Sequence, residues 1–117
     1  MIDGVGIDII EIDRVARAIR SEAFVARVFT EAETVECRSR GRPEQRFAGR
    51  FAAKEAVAKA LGHSLSWREV EIRTGPRGEP HAILSGRAAA LLDGRRVCVS
   101  ISHCHAYAVA QAVLIKD

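Results

Sequence analysis

Glu55 and Lys59 stand four residues apart in a stretch with helical periodicity, so a carboxylate and an ammonium share one helix face. An exposed ion pair is the ordinary meaning of that spacing. Two features point further. Phe51, four residues earlier, extends the row toward an apolar surface, and Arg50 and Lys54 add cations beside one carboxylate in a segment otherwise rich in Ala and Phe. Asp8 is the second candidate. Residues 2–10 alternate, which puts Val5, Ile7 and Ile9 on one face of a strand and Asp8 on the other with Gly4 and Gly6. Glycines in a strand mark a close approach by a ligand or another backbone. The Gly4-x-Gly6 pair is not a dinucleotide fingerprint, since the third glycine is missing. If the strand meets the helix, Asp8 and Glu55 would offer oxygen ligands to a hard divalent cation. Mg²⁺ typically takes one or two carboxylates together with phosphates and waters. Lys59, one turn on, would neutralise charge on a leaving phosphate, and such positioning and charge stabilisation carry most of phosphoryl transfer.

Ser100-Ile101-Ser102-His103 is a third feature. A strand running through His103 would place its ring with Val99 and Ile101; a turn beginning there would free it. Cys98, His103, Cys104 and His105 match no usual zinc spacing. Arg38, Arg40, Arg42, Arg46 and Arg50 crowd one short region, and Arg42, Arg46 and Arg50 fall at i, i+4 and i+8. That stripe is either a solvated face or a grip for polyphosphate or a nucleic-acid backbone. The scarcity of aromatics weakens the case for stacked single strands.

The positioning elements follow from period and punctuation. After the first strand, Ile12, Val15, Ala16 and Ile19 mark a helix, with Arg14 and Arg17 on its opposite face. A short helix over 22–28 follows. Thr30 and Glu33 form a capping box for another, running to about 39. Pro43 starts and Gly62 ends the longest helix, with Phe47, Phe51, Ala58 and Leu61 as its buried stripe. Val70 and Ile72 lead through a Gly75-Pro76-Arg77-Gly78 turn to a hairpin partner over 81–84. A short helix over 88–92 stops at Gly94, and strands over 96–102 and 106–115 close the chain. Hairpins and helices without repeated βα units indicate an α+β fold.

With 117 residues the chain fits one domain, 1–117. It has no apolar run of membrane-spanning length and no signal-peptide opening, and the three cysteines are irregularly spaced, so a soluble cytosolic domain with reduced thiols is expected. Its core is thin, since aromatics make up only 5% of the residues, and burial between subunits would help it. Eighteen Lys and Arg against 15 Asp and Glu give a net charge of +3, clustered in a way that suits acidic partners.

Taken together these segments resemble the holo-acyl-carrier-protein synthase family, the small bacterial 4′-phosphopantetheinyl transferases. The stretch from Gly4-Val5-Gly6-Ile7-Asp8-Ile9 to Asp13-Arg14-Val15 is similar to the family's first motif. Arg46-Phe47-Ala48-Gly49-Arg50-Phe51-Ala52-Ala53-Lys54-Glu55-Ala56, continuing through Lys59-Ala60-Leu61-Gly62, is similar to its central signature. Ser100-Ile101-Ser102-His103 is similar to its last motif. Phe24 to Arg27 with Phe29 to Glu33, and Gly78-Glu79-Pro80, fit between them in order.

The resemblance implies an antiparallel sheet around one long central helix, a homotrimer with sites at subunit interfaces, and a cytoplasmic enzyme of fatty acid biosynthesis. It implies Mg²⁺-dependent transfer of 4′-phosphopantetheine from coenzyme A to a serine of an apo acyl carrier protein, releasing adenosine 3′,5′-bisphosphate, with no nucleic acid or membrane partner. On these residues Asp8 and Glu55 would hold Mg²⁺. Lys59 would contact the pyrophosphate, and Arg42, Arg50 and His103 would grip the nucleotide end with its 3′-phosphate. Glu55, directly or through a water, would take the serine proton. Arg14, with Arg17 and Arg20, would face the carrier. The chain departs from the family at Cys104, where many members carry Asp, at Ala23, where a basic residue is common, and at His63-Ser64-Leu65-Ser66, where the loop is usually richer in glycine. Two other readings of the residues are a basic nucleic-acid-binding module, indifferent to loss of Asp8 and Glu55, and a metal-dependent phosphohydrolase using water as nucleophile.

Overall fold

A computed structural model describes residues 1–117. The alternating first segment forms β1 (Ile2–Glu11), followed by α1 (Ile12–Ala18), α2 (Glu22–Val28) and α3 (Glu31–Arg38). The long helix is α4 (Pro43–Leu61), with Pro43 at its start and Gly62 closing it in a left-handed conformation. A 3-10 turn, Trp67–Glu69, leads into the hairpin of β2 (Val70–Thr74) and β3 (Pro80–Leu84). Helix α5 (Gly86–Leu92) precedes β4 (Arg96–His103) and β5 (Tyr107–Ile115). The elements are those the sequence predicts, and the fold is α+β.

The main sheet is antiparallel with the order β1-β5-β4, so the first and last strands pair and the last strand is central. Strand β5 turns Ala108, Ala110, Ala112 and Leu114 toward α4, which answers with Ala52, Ala53, Ala56 and Ala60. Small side chains on both surfaces let the helix lie close to the sheet. On β1 the approach is closer still. A Cβ on Gly6 would collide with the Ala56 carbonyl oxygen and stand 2.8 Å from the Ala60 nitrogen, and one on Gly4 would collide with the Ala60 carbonyl. The two glycines thus mark a backbone packed against a backbone. Their face, which also carries Asp8, is the inner one. Val5, Ile7 and Ile9 point away from the helix and are 56%, 60% and 64% exposed.

Burial on α4 is wider than the expected stripe. Phe47 and Leu61 are buried, but Phe51 and Ala58 are only half-buried, while Ala52, Ala53, Ala56 and Val57 are fully buried. The helix is enclosed by the sheet on one side and by α1, α3 and β2 on others, so even Arg50 and Lys54 are buried. A second cluster, Ile12, Val15, Val25, Val28, Phe29, Cys37 and Phe47, joins α1, α2 and α3 to the start of α4.

Glu33 joins these layers. The capping box forms, with Thr30 N–H donating to Glu33 Oε1 at 2.9 Å and Glu33 N–H to Thr30 Oγ1 at 3.2 Å. The same carboxylate accepts from Lys54 Nζ at 2.8 Å and from Ile72 N–H at 2.9 Å, with both charged side chains essentially inaccessible. Lys54 Nζ also donates to the carbonyls of Trp67 at 2.9 Å and Val70 at 2.5 Å. All three ammonium protons of Lys54 and both carboxylate oxygens of Glu33 are therefore engaged.

Two stability measurements follow. Lys54→Met leaves the Glu33 charge buried without its counterion and should lower unfolding free energy by about 3–5 kcal/mol in urea titrations. Gly6→Ala forces β1 off α4 and should cost about 3 kcal/mol, whereas Gly41→Ala, where an added Cβ meets nothing, should cost far less.

Candidate active site

The close packing of β1 on α4 brings the inner face of the strand to the C-terminal half of the helix. There Lys59 Nζ donates to Asp8 Oδ1 at 3.2 Å and to the Ile7 carbonyl at 2.9 Å. Asp8 is sheltered, its side chain 17% exposed, while Lys59 remains 55% exposed. Glu55 lies half-buried one turn before Lys59. Burial first, and then the negative charge of Asp8, push its pKa above the ordinary carboxylate range, with Lys59 opposing in part. The two carboxylates thus feel each other's charge, and a cation between them would remove that repulsion. Asp8 and Glu55 fit a hard divalent ion that draws its remaining ligands from phosphate and water. No cluster of three or more His, Cys, Asp or Glu side chains offers a fuller protein cage.

The sequence adds Lys54 and Arg50 as cations beside Glu55, and the structure gives both of them internal partners. Lys54 is turned inward to Glu33. Arg50 donates from Nε to the Ile72 carbonyl at 3.1 Å and from Nη2 to Glu36 Oε1 at 2.7 Å and Thr74 Oγ1 at 2.9 Å. The helix is enclosed on those sides, so both cations must find internal partners. Glu55 and Lys59 sit instead on a cleft of about 450 Å³ with the 62–67 connection.

Arg42, Arg50 and His103 come together at the other end of α4, around a second cavity of about 360 Å³. The Nη1 donors of Arg50 are left free of protein partners there, as its other donors are used within the fold. Strand β4 continues through His103, so the imidazole lies on the face of Ile101, which also lines the cavity. Arg42 caps α4 with φ 58° and ψ 58°, a left-handed conformation uncommon for a side chain of its size. Such strain collects at functional sites. The positive end of the α4 dipole adds to the cavity's affinity for anions.

Arg40 and Arg46 line this cavity too. Arg46 was signalled by the i, i+4, i+8 spacing. Arg40, before the helix, has no such signal. At the departure from the family pattern, Cys104 is exposed, and the backbone N–H groups of Ala106, and then Tyr107, lower its thiol pKa. On α1, Arg14 and Arg17 are exposed opposite buried Ile12 and Val15, and Arg20 is exposed just beyond.

Because the fold raises the pKa of Glu55, ionising this group costs stability as pH climbs above its unfolded value of 4.5. Without divalent cations at pH 7.5, Glu55→Gln should therefore be at least as stable as the parent chain in urea, and the difference should vanish toward pH 4.

Residues 4–112 match the family described as the 4′-phosphopantetheinyl transferase superfamily. The chain is similar to the holo-[acyl-carrier-protein] synthase of Moorella thermoacetica, 51% identical over 116 residues that cover 93% of this chain and 91% of the relative. It is 42% identical to that of Koribacter versatilis over 123 residues, covering 97% and 98% of the two chains. Among solved structures it is similar to the Bacillus anthracis holo-(acyl-carrier-protein) synthase in complex with CoA (3′,5′-ADP), with TM-score 0.85, 37% identity, and coverage of 100% and 99%. The Neisseria meningitidis holo-[acyl-carrier-protein] synthase superposes with TM-score 0.88 at 34% identity, covering 99% of this chain and all of the other, 100%. The antiparallel sheet on a buried helix is thus shared with these enzymes, and the chain belongs to the holo-[acyl-carrier-protein] synthase family of 4′-phosphopantetheinyl transferases.

Proposed function

We propose that the whole chain, 1–117, acts as one transferase domain in the cytoplasm, moving 4′-phosphopantetheine from coenzyme A to a serine of an apo acyl carrier protein and releasing adenosine 3′,5′-bisphosphate. The observation that carries this reading is the ion pair of Asp8 with Lys59, which with Glu55 lines one cleft. Asp8 and Glu55 hold Mg²⁺, which when bound supplies charge neutralisation to the pyrophosphate. Lys59 leaves Asp8 for the pyrophosphate oxygens and stabilises the departing phosphate. The serine oxygen forms a bond to the phosphorus that bears pantetheine, and the bond from that phosphorus to the bridging oxygen breaks. The serine proton passes to Glu55 directly or through a water. Arg42, Arg50 and His103 bind the nucleotide end. Arg14, Arg17 and Arg20 face the acidic carrier and speed its approach.

The assembly is a homotrimer with sites between subunits. The outer face of the sheet supports this: Val5, Ile7 and Ile9 are more than half exposed, in register with Val113, Gln111 and Val109 of β5. A surface this largely apolar on a small chain supports an interface. The cleft and the arginine cavity also lie at opposite ends of α4, with Arg46 and Lys59 about 20 Å apart along it at roughly 1.5 Å per residue. A neighbouring copy would bring its arginine end to this chain's cleft.

Intact mass spectrometry of an apo carrier incubated with the protein, coenzyme A and Mg²⁺ should show one added phosphopantetheine, lost in EDTA. Asp8→Asn and Glu55→Gln should each slow transfer at least about a hundredfold with circular dichroism unchanged. Normal transfer by both variants would remove the metal site, and loss of coenzyme A without a carrier would mark a phosphohydrolase. Sedimentation should give a trimer. Ile7→Asp, on the uncovered face, should yield folded monomers that no longer turn over.

A further inference from the structure

Glu36 has no part in the reaction proposed above, yet it stands directly behind one of the cations. Its Oε1 accepts from Arg50 Nη2 at 2.7 Å and from the Thr74 N–H at 3.2 Å, and its Oε2 accepts from Arg73 Nε at 2.8 Å. One carboxylate of α3 therefore ties the central helix to the end of β2. Burial opposes its charge, but the guanidiniums of Arg73 and Arg50 and the Thr74 N–H outweigh burial and hold its pKa below the ordinary carboxylate range. Glu36 is thus an anion at neutral pH, placed behind the arginine cavity while Arg50 and Thr74 form part of its wall.

A guanidinium is a rigid planar fork of five N–H donors. On Arg50 three donors are spent within the fold, on Ile72, Glu36 and Thr74, so the direction of the pair on Nη1 is fixed. Its neighbours in the cavity are held less firmly. Arg46 Nε makes a long bond of 3.4 Å to the Gly41 carbonyl, and Arg40 and Arg42 are exposed. Arg50 is therefore aimed before a ligand arrives, which spares the cost of ordering it on binding.

In the transferase reading, on which this inference rests, Arg50 binds the nucleotide end with its 3′-phosphate. We infer that Glu36 is a positioning residue that aims the Nη1 edge of Arg50 at that phosphate and so sets a preference for coenzyme A over its 3′-dephospho form. Two effects oppose each other here. A carboxylate 2.7 Å from the cation weakens the cavity's pull on any anion, so charge alone predicts tighter binding when Glu36 is neutralised. Positioning predicts the reverse, a loss confined to ligands that carry the 3′-phosphate.

Initial rates of transfer to an apo carrier, with coenzyme A and with 3′-dephospho-coenzyme A, separate the two. Glu36→Gln offers one acceptor oxygen to two guanidiniums. It should raise KM for coenzyme A about tenfold, the scale of one charge-assisted hydrogen bond, and leave kcat within about twofold. Its kcat/KM for the dephospho form should stay within about twofold of the parent's. Glu36→Asp, which keeps the charge but is one methylene too short to hold Arg50, should lose the preference in the same way. Tighter use of coenzyme A by Glu36→Gln with Glu36→Asp unchanged would reduce the carboxylate to a charge, and equal losses with both substrates would reduce it to a structural support. Either result overturns the positioning role, as does a parent chain that uses both substrates equally well, while the transferase reading stands. Absence of transfer from both substrates by the folded parent would sink both.

Discussion

A charge pair with almost no access to water sits where the layers of this protein meet. Glu33 belongs to a helix cap, Lys54 to the central helix, and their remaining partners to the 3-10 turn and β2. Desolvating such a pair is unfavourable, and burial is tolerated only when the protons and both carboxylate oxygens find partners. That condition holds for a single arrangement of α3, α4 and β2, and so the pair specifies geometry more than it adds stability. Arg50 does the same one turn earlier, through the Ile72 carbonyl, Glu36 and Thr74. The central helix is therefore locked in rotation by its charged residues, while its alanines carry the hydrophobic contact.

Rotation of α4 is what the site depends on. Glu55 follows Lys54 directly, so the inward turn of the lysine sends the carboxylate toward the cleft. Lys59 lies one turn further on the same face. Strand β1 then settles the other half, because the missing Cβ atoms of Gly4 and Gly6 let its backbone reach the carbonyls of Ala60 and Ala56. Asp8, two residues past Gly6 on the same face, is delivered to Lys59. The close packing and the placement of Asp8 are thus both set by one strand. Burial and the charge of Asp8 together raise the pKa of Glu55 in the folded chain.

The same packing turns the branched residues of β1 outward. An inner face of glycine and alanine buries little area per residue, and the branched aliphatics remain for the other side of the sheet. A chain this short, with so few aromatics, gains most from covering that side with another copy. Thin core and uncovered sheet are consequences of one choice, which is small residues wherever helix and sheet meet.

Signals that act within about four residues were legible in the sequence. Thr30 and Glu33 showed the start of α3, Pro43 and Gly62 the limits of α4, and the 75–78 segment the hairpin turn. Period alone placed Glu55 beside Lys59 and set Asp8 with Gly4 and Gly6. Each rests on local backbone geometry, which a neighbouring residue is enough to determine. Only the tertiary structure decided the pairing of β1 with β5, the inward rotation of Lys54 and Arg50, and the outward turn of Val5, Ile7 and Ile9. Alternation separates two faces of a strand without saying which one a helix will cover. A lysine within an alanine-rich helix reads as a surface cation until a carboxylate 21 positions away is brought to meet it. Those outcomes depend on contacts between distant segments, where the fit of glycine to carbonyl and of charge to counter-charge exists only after the chain has folded.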